Sequence, residues 1–193
     1  MGKKFHMLDN LQLIDERILF FIQNNWKTPA LDHVMVFLTS LGNAGVLWIC
    51  IAAILIFSKH RQKSGVILLS AIFAAMFLGD DILKPLIGRI RPCDKFPEVE
   101  LLLGSIHSPS FPSGHAMVGF ASATVLFYYD RRFGIIAYLT ASLIAFSRLY
   151  LFVHYPSDLL GGLILGVFTA LLTIFLLNLV YHRIELLYRK FLP

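Results

Sequence analysis

Charge is what this sequence has least of: 15% of its 193 residues are Asp, Glu, Lys or Arg, while 57% are hydrophobic and the mean hydropathy is +0.71. That excludes a soluble globule of this size and predicts a multi-pass membrane protein. Cysteine is scarce too. Cys50 lies in an apolar run and Cys93 in a loop, a placement that gives neither a disulfide framework nor a metal-ligand spacing. Internal repeats and low-complexity tracts are lacking. A net charge of +5 could suggest nucleic acid. The basic residues instead fall in short clusters between apolar runs, where topology-setting charges sit, so no nucleic-acid partner is expected. Lys3 and Lys4 resemble the start of a signal peptide, but Asp9, Asp15, Glu16 and Arg17 interrupt the apolar core that would follow, and an unprocessed N-terminus is expected.

What the chain does have is apolar length, enough for about five or six crossings of roughly 20 residues each. The expected fold is all-α: a multi-pass membrane helix bundle, one domain over residues 1–193, with a transmembrane core over 42–181. Spans are expected at about 42–58, 64–87, 113–129, 133–152 and 157–181. Residues 1–41 are expected to form short or interfacial helices. There Leu8, Leu11, Ile14, Ile18, Phe21 and Ile22 recur at helical spacing, with Asp15, Glu16 and Gln23 elsewhere. Such a helix suits the membrane surface, with Trp26 at the interface. The run Leu31–Leu41 is too short to cross alone and ends at the breaker cluster Gly42-Asn43-Ala44-Gly45. A sixth crossing within 8–41 is the alternative, and it would move Lys3 and Lys4 to the cytoplasmic side.

With five spans, the linkers Lys59–Lys63 and Asp130–Arg132 and the C-terminal Arg183, Arg189 and Lys190 share one face. By the positive-inside rule that face is cytoplasmic. The long loop 88–112 is broken by Pro92, Pro97, Pro109 and Pro112. This loop, the start of the third span and the Arg148–Asp158 segment then meet on the extracytoplasmic side of the plasma membrane.

Those three segments carry the chemistry. Ionisable side chains at membrane-helix ends are costly unless paired or facing a polar cavity, although a lone Lys or Arg there is often a snorkelling anchor. Lys84 and Arg91 would share a face if one helix continued through both. Pro85, Gly88 and Pro92 oppose that, and Arg89 is the alternative partner. Asp80 and Asp81 are spaced to pair with Lys84. In Pro112-Ser113-Gly114-His115, Ser113 is a good N-cap and the first amides, opened by Gly114, form a natural anion cradle, though a simple helix cap would look the same. His115 then stands in the first turn, able to exchange a proton near neutral pH. Pro156 suits the first turn of the last span and lets Asp158 fold back on His154. A carboxylate on one ring nitrogen fixes the tautomer and leaves the other nitrogen free to attack. Arg148, near the end of the fourth span, is a bidentate oxyanion partner. Three cations, a helix terminus, two histidines and a carboxylate describe a phosphate-handling site. No clustered carboxylates or His-x-x-x-His spacing support a metal, which the cations would repel, so neither metal nor cofactor is expected.

Jointly, Lys84-x6-Arg91-Pro92, Pro112-Ser113-Gly114-His115 and Ser147-Arg148-x5-His154-x3-Asp158 resemble the three-part signature of the type 2 phosphatidic acid phosphatases, PAP2. The resemblance covers about residues 84 to 158. This family includes integral-membrane lipid phosphatases and, with the same core, soluble acid phosphatases and vanadium haloperoxidases. It implies that His154 is a nucleophile forming a phosphohistidine, oriented by Asp158, and that His115 protonates the leaving oxygen. It further implies that Lys84, Arg91, Arg148, Ser113 and the Gly114 amide hold the phosphate and that water completes the cycle without a metal.

The span count favours a lipid phosphate reached from the outer leaflet. Undecaprenyl diphosphate, phosphatidylglycerol phosphate, phosphatidic acid and lipid A phosphates all fit. The first ranks ahead because its diphosphate is released on the outer face. Loop residues Cys93 to Pro109, with Glu98, Glu100 and His107, are expected to shape the entrance. A different class of function is a transporter or flippase that binds a lipid phosphate through the same cations without cleaving it. Nothing in the sequence points to an oligomeric state.

Overall fold

The computed structural model describes the backbone of residues 2–104 and 106–191 and the side chains of 10–104 and 106–187, so the side chains of Lys3, Lys4, Arg189 and Lys190 lie outside the described residues. The chain opens with α1 (Gly2–Trp26) and turns into α2 (Pro29–Gly42), capped by Thr28, whose hydroxyl accepts from the Leu31 amide at 3.3 Å. A 3-10 turn at 43–45 carries Ala44 and Gly45 in the left-handed region, with φ of 48° and 66°. Beyond this kink the chain continues as α3 (Val46–Phe57). The breaker cluster therefore bends a helix without ending it. Residues 29–57 form one 29-residue apolar segment, and the first crossing begins at Pro29, not at residue 42 as the glycines suggested.

After a short turn, α4 (Gln62–Met76) runs into a π-helical stretch, Phe77–Leu83, and then α5 (Lys84–Ile87). Gly88, at φ 61°, ends it as a left-handed C-cap. Arg91 is the N-cap of the short α6 (Pro92–Lys95). Because Gly88 reverses the chain, Lys84 and Arg91 do not share a helix. The remaining elements are α7 (Gly114–Tyr129), α8 (Arg131–Tyr150) and α9 (Pro156–Phe191).

Among the described residues, four segments are long and apolar enough to cross a bilayer: 29–57, 62–95, 131–150 and 156–187. Helix α7, with 16 residues, rises only about 24 Å, yet its ends show that it crosses too. Asp130, just after it, meets Arg61 of the α3–α4 turn at 3.2 Å, whereas Ser113, just before it, bonds through its amide to the Asp158 carbonyl at the opposite end (3.1 Å). With α7, five of the described segments run from one end of the bundle to the other. Every residue of α7 from Ala116 to Val125 is buried, against α4, α8 and α9. Small residues make that possible: a Cβ on Gly162 of α9 would stand 2.7 Å from the Ser113 carbonyl, and one on Gly119 would meet Ala141 of α8 at 3.2 Å. Outward faces are apolar, as lipid requires, with Phe57, Leu139, Ile164 and Phe175 all exposed.

Helix α1 turns most of its apolar stripe away from the protein, the arrangement that a membrane-surface helix requires. The apolar stripe Leu11, Ile14, Ile18 and Phe21 is exposed, while Asp15, Leu19 and Ile22 are buried and Gln12, Glu16 and Gln23 are half-buried. An amphipathic helix in water turns its apolar face inward; beside lipid it can turn that face out and present its polar face to the protein. The polar face rests on α8 and α9, and Gln23 donates to the Tyr150 carbonyl at 2.7 Å.

Candidate active site

A cavity of about 400 Å³ opens at the end of the bundle where the loop 88–112 and the α8–α9 turn meet. Lys84, Arg91, Gly114, His115, Arg148 and His154 all line it. The three sequence clusters thus converge. Ser113 and Asp158, fully buried, stand behind the wall.

His154 is held from both sides. On one side, Nδ1 lies 3.4 Å from Oδ2 of Asp158, longer than an ordinary hydrogen bond. On the other, Arg91 Nη1 is 3.1 Å from Nε2. A guanidinium can only donate, so Nε2 presents its lone pair and Nδ1 carries the proton toward Asp158. Burial, reinforced by Arg91 and Arg148 and opposed by Asp158, pushes the His154 imidazole down to about 3. The ring is therefore neutral at physiological pH. Asp158 is itself fixed: Oδ2 accepts from Ser110 Oγ and from the Tyr155 amide (2.8 Å), and Oδ1 from Arg89 Nη1 (2.5 Å).

The cations differ in how far they are already occupied. Lys84 donates to Asp80 at 2.6 Å, which selects Asp80 over Asp81 as its partner. Arg91 spends Nε on the Ser108 carbonyl (2.6 Å), Nη2 on Ser108 Oγ (3.0 Å) and Nη1 on the Val153 carbonyl (2.8 Å) as well as on His154. Arg148 is 4% exposed, and its Nη1 donates to Thr39 Oγ1 at 2.5 Å, while its Nε is buried without a partner. A buried unpaired donor of this kind is costly unless an anion completes it. Three cations against one carboxylate, Asp80, give the cavity wall a net positive charge suited to phosphate.

The start of α7 supplies the remaining groups. Ser113 Oγ sits 3.5 Å from the Ala116 amide, as an N-cap. A Cβ on Gly114 would stand 3.5 Å from Asp80 Oδ1 and 3.8 Å from Lys84 Nζ, so the first residue of α7 lies directly beside that ion pair. Among the described residues no three His, Cys, Asp or Glu side chains gather as a metal-binding group.

Sequence reasoning missed Thr39, Asn43, Ser108 and Ser110, and it offered Arg89 only as an alternative partner for Lys84, whereas the guanidinium bonds Asp158 and Asp15. Thr39 and Asn43 come from the kinked first crossing: Asn43 Oδ1 is 3.2 Å from His115 Nε2, and Thr39 supports Arg148. The breaker cluster was their signal, since a bend is what turns Asn43 into the cavity. Gly42 at the kink lies close to His115; a Cβ there would be 2.6 Å from its Cδ2 and 2.7 Å from Ile144. Gly42→Ala is therefore expected to shift the imidazole and lower kcat by about 10- to 100-fold, measured as phosphate release, with the thermal unfolding midpoint read alongside.

Residues 64–181 match the PAP2 superfamily. The chain is 31% identical over 157 residues to an undecaprenyl-diphosphatase of Sulfolobus acidocaldarius, covering 81% of this chain and 75% of that protein. Among solved structures, the transmembrane PAP2-type phosphatidylglycerolphosphate phosphatase of Bacillus subtilis superposes with a TM-score of 0.72 at 28% identity, over 88% of this chain and 87% of that one. Aquifex aeolicus LpxE superposes with a TM-score of 0.73 at 29% identity, over 83% and 94%. With the family match covering well over half of its length, the chain belongs to the PAP2 superfamily.

Proposed function

We propose that this membrane phosphatase hydrolyses a lipid phosphate through a phosphohistidine formed on His154. The observation that carries the reading is the polarity of the His154 ring: a lone pair on Nε2 at the cavity beside Arg91, and Asp158 behind Nδ1. Nε2 attacks the terminal phosphorus as its bond to the leaving oxygen breaks, the lipid alcohol oxygen of a monoester or the bridging oxygen of a diphosphate, and that oxygen takes a proton from His115 across the cavity. Asp158 balances the positive charge that develops on the imidazole. Lys84, Arg91, Arg148 and the α7 amides meet the negative charge that builds on the phosphoryl oxygens. Water then attacks phosphorus, returns a proton to His115 and releases inorganic phosphate and free His154.

The substrate we put first is undecaprenyl diphosphate, supported by the Sulfolobus relative; phosphatidylglycerol phosphate follows, supported by the Bacillus structure. Phosphate release by the detergent-solubilised chain, measured side by side on these two lipids and phosphatidic acid, tests the reading. Binding of all three without release would favour a transporter.

The site is read as facing outward, because Lys59, Arg61, Lys63, Arg131 and Arg132 cluster at the other end. Cys93 is buried and a poor reporter, but Glu98 and Gln62 are exposed at opposite ends. In a chain freed of Cys50 and Cys93, Glu98→Cys is expected to react with an impermeant maleimide on intact cells, and Gln62→Cys only after permeabilisation.

A further inference from the structure

Arg89 stands two residues from Arg91 but does not line the cavity. Its guanidinium spans two carboxylates: Nη1 donates to Asp158 Oδ1 (2.5 Å) and Ser157 Oγ (2.7 Å), and Nη2 to Asp15 Oδ2 and Gln12 Oε1 (both 2.7 Å). Its flat face lies over the Tyr155 ring, 4.1 Å from the centroid. Asp15 comes from α1, and it is 1% exposed on a helix whose Leu11, Ile14, Ile18 and Phe21 are exposed. Its second oxygen accepts from the Ser157 amide at 3.0 Å, and Ser157 Oγ donates back to Oδ2 at 2.5 Å.

The geometry points to Asp15 as a positioning residue for catalysis, acting through Arg89 and Ser157 on Asp158 and thereby on His154. Two physical effects carry this. The first is orientation. Asp158 Oδ1 is held by Arg89 alone among side chains, and Arg89 sits on irregular backbone between Gly88 and Pro92, where no helix fixes it. Besides Ser157 and the Tyr155 ring, what fixes its guanidinium is the fork onto Asp15 and Gln12 of α1, which engages the Nη2 end that Asp158 leaves free. The second is charge balance. Asp158 must stabilise the positive charge that appears on His154 when Nε2 attacks, and an uncompensated Arg89 cation would draw that carboxylate's field away. Asp15 supplies the missing negative charge, leaving Asp158 available to the imidazole. A buried carboxylate, costly to place, has an electrostatic reason here.

This inference rests on His154 as nucleophile and Asp158 as its partner, so the experiment separates the two. Asp15→Asn, Arg89→Lys, Asp158→Asn and the double variant Asp15→Asn/Asp158→Asn are purified as full-length chains. Each is assayed for phosphate release from a lipid phosphate in micelles, with inhibition by inorganic phosphate and thermal unfolding measured alongside. Asp15→Asn is expected to lower kcat about 10- to 100-fold, with KM and phosphate inhibition changed less than about twofold, because Asp15 does not reach the cavity. Arg89→Lys should not rescue, since one ammonium cannot bridge both carboxylates. In the Asp158→Asn background, Asp15→Asn should cost no further kcat, which general weakening of the fold would not reproduce. Full additivity in the double variant, a rise in KM with kcat retained, or wild-type kcat in Asp15→Asn would overturn the inference. Wild-type kcat in Asp158→Asn would instead overturn the nucleophile reading beneath it.

Discussion

Replacing His154 by alanine is expected to abolish turnover, with kcat lowered about 10⁴-fold or more, equivalent to roughly 5 kcal/mol of transition-state stabilisation. The expectation follows from the lack, among the described residues, of a second nucleophile in the cavity wall that combines a free lone pair with an orienting carboxylate. His115 faces Asn43, and Lys84 is tied to Asp80 as a cation. Loss of the ring also leaves Arg91 without the acceptor at 3.1 Å, although its bonds to the Ser108 and Val153 carbonyls should keep the loop in place. The decisive measurement is a rapid quench of enzyme mixed with labelled lipid phosphate. Wild-type protein should accumulate an acid-labile, base-stable phosphoenzyme, and His154→Ala none. A labelled protein persisting in the variant would move the covalent step to another residue. Asp158→Asn keeps the shape but not the charge, and an intermediate loss of about 10²-fold is expected from it.

How much of this was legible beforehand depended on whether the signal was local. Ser113, Gly114 and His115 are consecutive, and His154 and Asp158 are one helical turn apart, so spacing alone placed each group at a helix start. Lys84 and Arg91 illustrate the limit. Their relation could not be built on a shared helix, because Gly88 turns the chain, and it is the fold of the loop back over α9 that brings Arg91 to His154. The Gly42–Gly45 cluster was visible as a breaker, yet whether a breaker ends a helix or bends it is decided by what packs around it. Here Gly42 lies against His115 and Ile144 and Gly45 faces Val118, so the chain continues. Helix α1 was legible as an amphipathic surface helix and not in what its polar face meets: the periodicity is the same whatever packs there. Only the burial of Asp15 against Arg89 and Ser157 decides it. Thr39 and Asn43 lie more than 70 residues from the groups they support, a separation that no sequence window can bridge.

His115→Ala is expected to lower kcat on a lipid phosphomonoester about 10³-fold, within the span usual for a lost general acid, and far less on a substrate whose leaving group needs no proton. The alkoxide of a phosphatidylglycerol-type ester is a poor leaving group, and its departure depends on a proton delivered during bond cleavage. A nitrophenolate leaves unaided. In a diphosphate the departing group is itself a phosphate, which is already a good leaving group and behaves like the nitrophenolate. The loss in His115→Ala should therefore be larger on the alkyl ester than on the lipid diphosphate or nitrophenyl phosphate, whereas His154→Ala should lose all three alike, because every one must pass through the nucleophile. Asn43→Ala offers a graded version of the same test. It removes the acceptor 3.2 Å from His115 Nε2 and leaves the ring, so it should reproduce the ranking at about a tenth of the size. A uniform loss across the three substrates would mean that His115 serves to bind the phosphate, through the same positive charge the cations supply, and that the proton reaches the leaving oxygen from solvent.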